Sequence, residues 1–237
     1  MKKETNSQKP SFEDLSSLAG FTIEFFAKNL NAKQVEYWKN NKTSFGKKLR
    51  EVFCIVDEYS KNREEWRKFY KTKFDWDVDF SFVIIPVMPN VGKWRLLFVA
   101  RGLTCNLALK KASLLFKTWK GRDDLDKDLK NIRNTDSHYA VWVRDKVEPD
   151  IETLGKSTNE ADPDMKKGIT LLERIVFEIK YFAETGNHLD FKGVTFCSGS
   201  RYAGGDVPRA FWGGGGLNIG SRNPDDSVSG CGVRSAG

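Results

Sequence analysis

The last 45 residues, Gly193–Gly237, read GVTFCSGSRYAGGDVPRAFWGGGGLNIGSRNPDDSVSGCGVRSAG. Twelve of the 20 glycines in the chain fall here, and no lysine does. The 192 residues before it are rich in lysine and in helical patterns, so the break in composition marks a different kind of structure. Val194 and Phe196 would share one side of a short strand, with Thr195 and Cys197 on the other, because side chains alternate along a strand. Turns are expected at Gly204-Gly205-Asp206 and across Gly213–Gly216. A short strand, LNI (217–219), lies between that second turn and Asn223-Pro224-Asp225. A last one can use Gly232-Val233-Arg234.

Upstream, Thr170 and Glu173 form a capping box ahead of the clearest helix in the chain. Leu171, Leu172, Ile175, Val176, Ile179 and Phe182 make its apolar stripe, and Gly186 supplies a left-handed stop. Residues 146–168, acidic and carrying Pro149, Gly155, Pro163 and Gly168, read as an exposed loop with room for a turn of helix. HYAVWVRD (138–145) alternates as a strand. RDDLDKDLKNIRN (122–134) reads as a short charged helix. Thr104 caps a helix that runs through Leu107, Leu109, Leu115 and Phe116 and ends at Gly121. FSFVIIPVM (80–88) and WRLLFVA (94–100) read as neighbouring strands, the first on an edge because of Pro86.

Residues 1–10 look like a disordered leader. Helices follow from Ser11, from Asn31 with Gln34, from Ser44, and over NREEWRKFY (62–70). This first part is basic and rich in aromatics. Trp38, Trp66, Phe69 and Tyr70 would suit stacking on nucleic acid, although such a stripe is more often a packing seam.

The whole chain of 237 residues carries a net charge of +7, with 39% hydrophobic and 30% charged residues. No apolar run approaches the roughly 18–20 residues of a membrane span. No apolar core follows the opening Met-Lys-Lys, so a cytoplasmic protein is expected unless it is exported without a secretory signal. The positive charge is interleaved with acids, which favours a solvated lysine-rich surface over a dedicated basic block. Cys54, Cys105, Cys197 and Cys231 are not spaced as CxxC, and the histidines are His138 and His188. No metal site and no cofactor is expected from this set. Cys197 reads as a buried strand residue and Cys231 as an exposed loop residue.

Gly213–Gly216 lacks the Gly-Lys-Ser/Thr and following helix that a phosphate loop needs. Asp225-Asp226 reads as a solvated turn, and no nucleophile is placed beside either histidine. The surface chemistry of the tail says more. Tyr202, Arg209, Phe211, Trp212, Asn218, Ser221, Arg222 and Asn223 lie among small residues on turn-rich backbone. Antibody paratopes use the same mix of aromatic and arginine anchors with adaptable serine, glycine and asparagine.

Several blocks resemble a group of bacterial proteins, many from minimal-genome lineages. They are GLTCNLALKKASLLFKTW (102–119), DDLDKDL (123–129), HYAVWVRDKVEPDIE (138–152), GITLLERIVFEIKYFAETGNHLDFKGVTFCSGSR (168–201) and the frame DVP…W…PDD…VRSA (206–236). The tail is similar to the variable region of proteins diversified by retroelements that rewrite template adenines. The resemblance implies a C-type-lectin-like fold, related to the formylglycine-generating enzyme, that displays varied side chains to a ligand. It implies varied positions at Arg209, Ala210, Phe211, Gly213, Gly214, Asn218, Gly220, Ser221, Arg222, Ser227, Ser229 and Cys231, with Tyr202 on the same face. Val207, Pro208, Trp212, Leu217, Pro224 and Arg234 would be scaffold. CSGSR stands where many such proteins have GGSW, and Gly213–Gly216 leaves an unusually bare surface.

The expected architecture is α+β. A helical N-terminal unit (1–75) precedes a mixed domain (76–237) with two main helices and short antiparallel strands, its display segment at 199–237. The expected function is non-enzymatic binding of a protein or other macromolecule. The alternative is a basic nucleic-acid-binding or regulatory protein acting through the N-terminal unit. An enzyme of the formylglycine-generating type, using Cys197 and Cys231, lacks a substrate-groove pattern.

Overall fold

The Thr170 hydroxyl accepts from the Glu173 N–H and the Glu173 carboxylate accepts from the Thr170 N–H, which starts α7 (Leu171–Thr185). Gly186 ends it in the left-handed conformation (φ 69°). Every residue from Leu171 to Ile179 is buried. Its six large apolar side chains there, at about 1.5–3 kcal/mol each, contribute on the order of 10 kcal/mol before entropy is set against them. This helix is the centre of the second of two compact units.

The computed structural model describes residues 11–52 and 58–237. The chain is α+β and divides into units Met1–Val56 and Asp57–Gly237. The expected leader (1–10), the expected end of the third helix (53–57) and with it Cys54 lie outside the described residues. The first unit holds α1 (Phe12–Asn29), α2 (Ala32–Asn40) and α3 (Lys42–Val52). Asn31 and Gln34 form the capping box of α2. Phe45 packs on Phe26 and Trp38, with ring centroids 5.6 and 5.4 Å apart.

The second unit opens with α4 (Ser60–Phe74), which the sequence had placed in the helical N-terminal part. Trp66, Phe69, Tyr70 and Phe74 are buried in the core of this unit. Trp66 Nε1 donates to Leu96 O, and the Tyr70 hydroxyl donates to Phe98 O while accepting from Ala100 N. The helix is thus bonded to β1 (Trp94–Val99), and the boundary falls near 56 instead of 75.

β1 pairs antiparallel with β4 (Tyr139–Arg144), Leu97 opposite Val141. The expected neighbour of β1, residues 80–88, is not a strand. Phe80 and Val83 turn into the core while Phe82, Ile84, Val87 and Met88 face out. Thr104 caps α5 (Cys105–Ala112), which stops short of Gly121 because β2 (Lys117–Lys120) intervenes. The expected helix over 122–134 is instead irregular chain with β3 (Leu129–Asn131), paired to β6 (Ser200–Tyr202). A 3-10 turn (Ile151–Thr153) and α6 (Thr158–Ala161) interrupt the expected loop.

The tail builds a five-stranded sheet with β2. Its order is β2, β8 (Gly216–Arg222), β7 (Val207–Gly213), β5 (Val194–Phe196), β9 (Cys231–Val233). The β7–β8, β5–β7 pairs are antiparallel, whereas β2–β8 and β5–β9 are parallel.

Candidate functional site

The β7–β8 hairpin turns on Gly214 and Gly215, at φ 60° and 79°. Two consecutive left-handed residues match the twist of antiparallel strands, and glycine adopts them without strain. Asn218 Nδ2 donates to Gly213 O (2.8 Å) and Gly216 O (3.0 Å), clamping the turn. The register then sorts the side chains. Arg209 pairs with Gly220, Phe211 with Asn218, and Gly213 with Gly216. Opposed residues share a face, so these six and Arg222 lie on one side of the sheet. Pro208 with Ser221, Ala210 with Ile219, and Trp212 with Leu217 lie on the other.

Five of the expected display positions are thereby brought together as a half-exposed group: Arg209, Phe211, Asn218, Gly220 and Arg222. Gly213 lies on their face beside the turn, and Gly214 is exposed at its tip. The Arg209 guanidinium carbon is 5.8 Å from the Phe211 ring centroid. Arg222 Nη1 lies 3.3 Å from the Asp226 carboxylate. β2 adds Trp119 beside Asn218, 44% exposed. A Cβ on Gly216 would fall 2.1 Å from the Trp119 ring and 2.5 Å from Lys117 O, so Gly216 is what lets β2 approach. Trp119 was hidden from sequence reasoning because Phe116–Lys120 was read as helix. The alternation in KTWK was the available signal.

Other expected display positions are not on this face. Ala210 is fully buried in the core. Tyr202 is buried under the Arg122 guanidinium, 3.9 Å from its ring centroid, and burial pushes its hydroxyl up to about 12. Cys231 is buried with Phe196, Val207 and Val233 and is not an exposed loop residue. Ser221 points to the opposite side, where its hydroxyl pairs with Asp206. Ser227 and Ser229 are exposed on the connection to β9.

The scaffold positions lie behind or beside the face. Val207, Pro208, Leu217 and Arg234 are buried. Pro224 O accepts from the N–H groups of Thr158 and Asn159. Trp212 stacks on His188 with ring centroids 3.3 Å apart and meets Phe116 edge-on. His188 Nδ1 is 2.9 Å from Glu178. Glu178 pairs with Arg174, Arg174 with Asp190, and Asp190 with Arg234, all four side chains being inaccessible. Burial, the largest single influence, raises the Glu178 carboxyl, but Arg174 and His188 together hold it below the usual carboxylate range. Arg234 also donates to the Arg144, Lys146 and Val147 carbonyls, which fixes the C-terminal segment to the core.

Compared with models of known families, curated proteins and solved structures, the chain matches none.

The site offers contact chemistry. Among the described residues, no three His, Cys, Asp or Glu side chains gather as a metal site requires. Cys105, Cys197 and Cys231 are free and buried. Burial pushes the Cys197 thiol up to about 12 and raises Cys231, so neither is a ready thiolate at neutral pH. His138 Nδ1 accepts from the Arg101 N–H. Three of the four aromatics weighed between a packing seam and a nucleic-acid platform are core, since Trp66, Phe69 and Tyr70 are buried. Trp38 packs within the first unit. Among the described residues, no helix is long and apolar enough to cross a membrane.

Proposed function

We propose that this chain is a non-enzymatic ligand-binding protein. It contacts a protein or other macromolecule through the face that Trp119, Arg209, Phe211, Asn218, Gly220 and Arg222 form. In this reading the second unit is C-type-lectin-like, and the face is one that a diversity-generating retroelement rewrites. The observation that supports the proposal is the grouping of most of the implied positions on one face. Positions implied as varied at 209, 211, 218, 220 and 222 fall on the half-exposed side of the hairpin, while the implied positions 210 and 221 fall on the other with Pro208, Trp212 and Leu217. A surface whose residues can change without touching the core suits ligand display. Aromatic and arginine anchors are the side chains that dominate binding energy at such surfaces.

The test is a displayed library randomised at Arg209, Phe211, Asn218, Gly220 and Arg222. Most members should keep the parental melting temperature within a few degrees, and selection should yield binders to unrelated proteins. Widespread unfolding of the library would defeat the proposal. The retroelement part has its own check. The neighbouring DNA should hold a reverse transcriptase and a near-copy of the tail's coding sequence that differs at adenines; without both, that part fails.

A further inference from the structure

Helix α1 of the first unit carries two apolar stripes. At about 100° per residue, Phe26 and Leu30 fall on one side, and with Trp38 and Phe45 they line the same apolar groove. Leu18, Phe21 and Phe25, spaced i, i+3, i+7, fall within about 60° of each other on another side. They are 49%, 67% and 52% exposed, and the rings of Phe21 and Phe25 stack 6.5 Å apart. Among the residues of this unit whose side chains are described, only Gly46 is buried. An apolar stripe of this kind left in water is a surface suited to being covered.

We infer that the cover is α1 of a second copy of this chain, packed antiparallel about a two-fold axis at Phe21. The three-residue stripe is self-complementary under that operation, since Leu18 of each copy then meets Phe25 of the other. The charges settle the direction. Glu13, Ser17, Glu24 and Lys28 lie along one flank of the stripe. In the antiparallel pair this flank faces itself reversed, so Lys28 of each copy comes opposite Glu13 of its mate and Glu24 opposite Ser17. A parallel pair would instead set this flank against the opposite one, where Thr22 and Phe26 lie and no acid faces Lys28. The Glu24–Lys28 pair within the helix (3.6 Å) is largely solvated and leaves Lys28 free to do both. On the proposed function the dimer would carry two binding faces and bind repeated targets by avidity. The inference does not depend on the proposed function.

Sedimentation velocity of the full chain over a wide concentration range tests this. The interface is small, so a dimer with a dissociation constant of about 1–100 μM is expected. Phe21→Glu should weaken it more than about 100-fold by burying a charge in the stripe. Lys28→Glu, which leaves the stripe intact, should weaken it several-fold, and adding Glu13→Lys should restore it. A chain that is monomeric at every concentration overturns the inference. So does a dimer indifferent to Phe21→Glu, or a charge swap that fails to restore association. A monomer that binds vesicles of mixed anionic and zwitterionic phospholipid through α1 also overturns it, making the stripe a membrane-surface device.

Discussion

Replacing Asp190 by Asn should cost the second unit about 3–5 kcal/mol, the usual consequence of removing one partner from a buried ion pair. Asp190 is inaccessible and takes Arg174 Nε at 2.9 Å, Arg174 Nη2 at 2.8 Å and Arg234 Nη2 at 2.8 Å. With Glu178 the four charged groups balance, two of each sign. Asparagine keeps the shape and tolerates the left-handed backbone at this position (φ 56°). The loss therefore isolates the charge: one guanidinium is left buried without its counter-ion. Against a typical total of about 5–15 kcal/mol the loss is large. Urea unfolding followed by tryptophan fluorescence measures it, with Trp212 stacked near the network as a reporter. Asp190→Asn combined with Arg234→Met removes one charge of each sign and leaves Arg174 with Glu178. The double variant should therefore be more stable than the sum of the single losses by at least about 1 kcal/mol. A single loss under about 1 kcal/mol, or strict additivity, would refute the claim that charge balance holds this core together.

Glu173 and Glu178 are buried, which raises their carboxyls, but Arg133, and for Glu178 Arg174 with His188, overcome this and hold both below the usual range. Their unfolded-state value is about 4.3, so the unfolded chain takes up these protons first and stability falls as pH drops from about 5 through the folded values. Glu173→Gln should flatten that acid limb in unfolding curves taken at successive pH values; an unchanged limb refutes the assignment. Gly216→Ala should destabilise by more than about 2 kcal/mol, because the new Cβ meets the Lys117 backbone as well as Trp119. Gly220→Ala should stay within about 1 kcal/mol of the parent, since its Cβ meets only the Arg209 side chain, at 3.4 Å; equal losses at the two glycines would contradict the close approach of β2 to Gly216. Removing residues 1–56 should leave a cooperatively folding protein, whereas removing 1–75 should not. The second deletion takes away four buried aromatics of α4, worth on the order of 10 kcal/mol by burial, and comparable circular dichroism melts for both would disprove the domain boundary.

Elements specified by neighbours in the chain were legible in the sequence. The capping boxes at Asn31–Gln34 and Thr170–Glu173, the Gly186 stop and the glycine turn of the hairpin are all local chemistry. What escaped depends on partners far away. β2 pairs in parallel with β8 about a hundred residues on, Lys117 to Gly216, so nothing near Lys117 announces a strand. Residues 80–88 have strand composition but join none of the sheets, and their apolar side chains divide between the core and solvent. Arg174 and Glu178 look like a solvated i,i+4 pair on a helix. Only Asp190 and Arg234, brought in by the fold, turn them into a buried network. Likewise Cys231 is buried because its strand pairs with β5 and joins the cluster of Phe196 and Val207, which no local pattern states.

The division of labour in the hairpin follows from where its free energy comes from. The face carries Gly220, Gly213 and side chains that are half in water, so changes there exchange little buried area. The backing carries Ala210, Leu217 and Ile219 in the core and Trp212 against His188. His188 in turn touches Glu178, the end of the ion network that holds Arg234 and so the end of the chain. Much of the stability is therefore behind the sheet, and a smaller buried cluster, with Phe196 opposite Arg209 and Val207 opposite Arg222, lies at one end of the face side. Replacing Arg209 or Phe211 should therefore cost less than a single change at Asp190, which breaks the ion network, or at Gly216, which blocks the approach of β2.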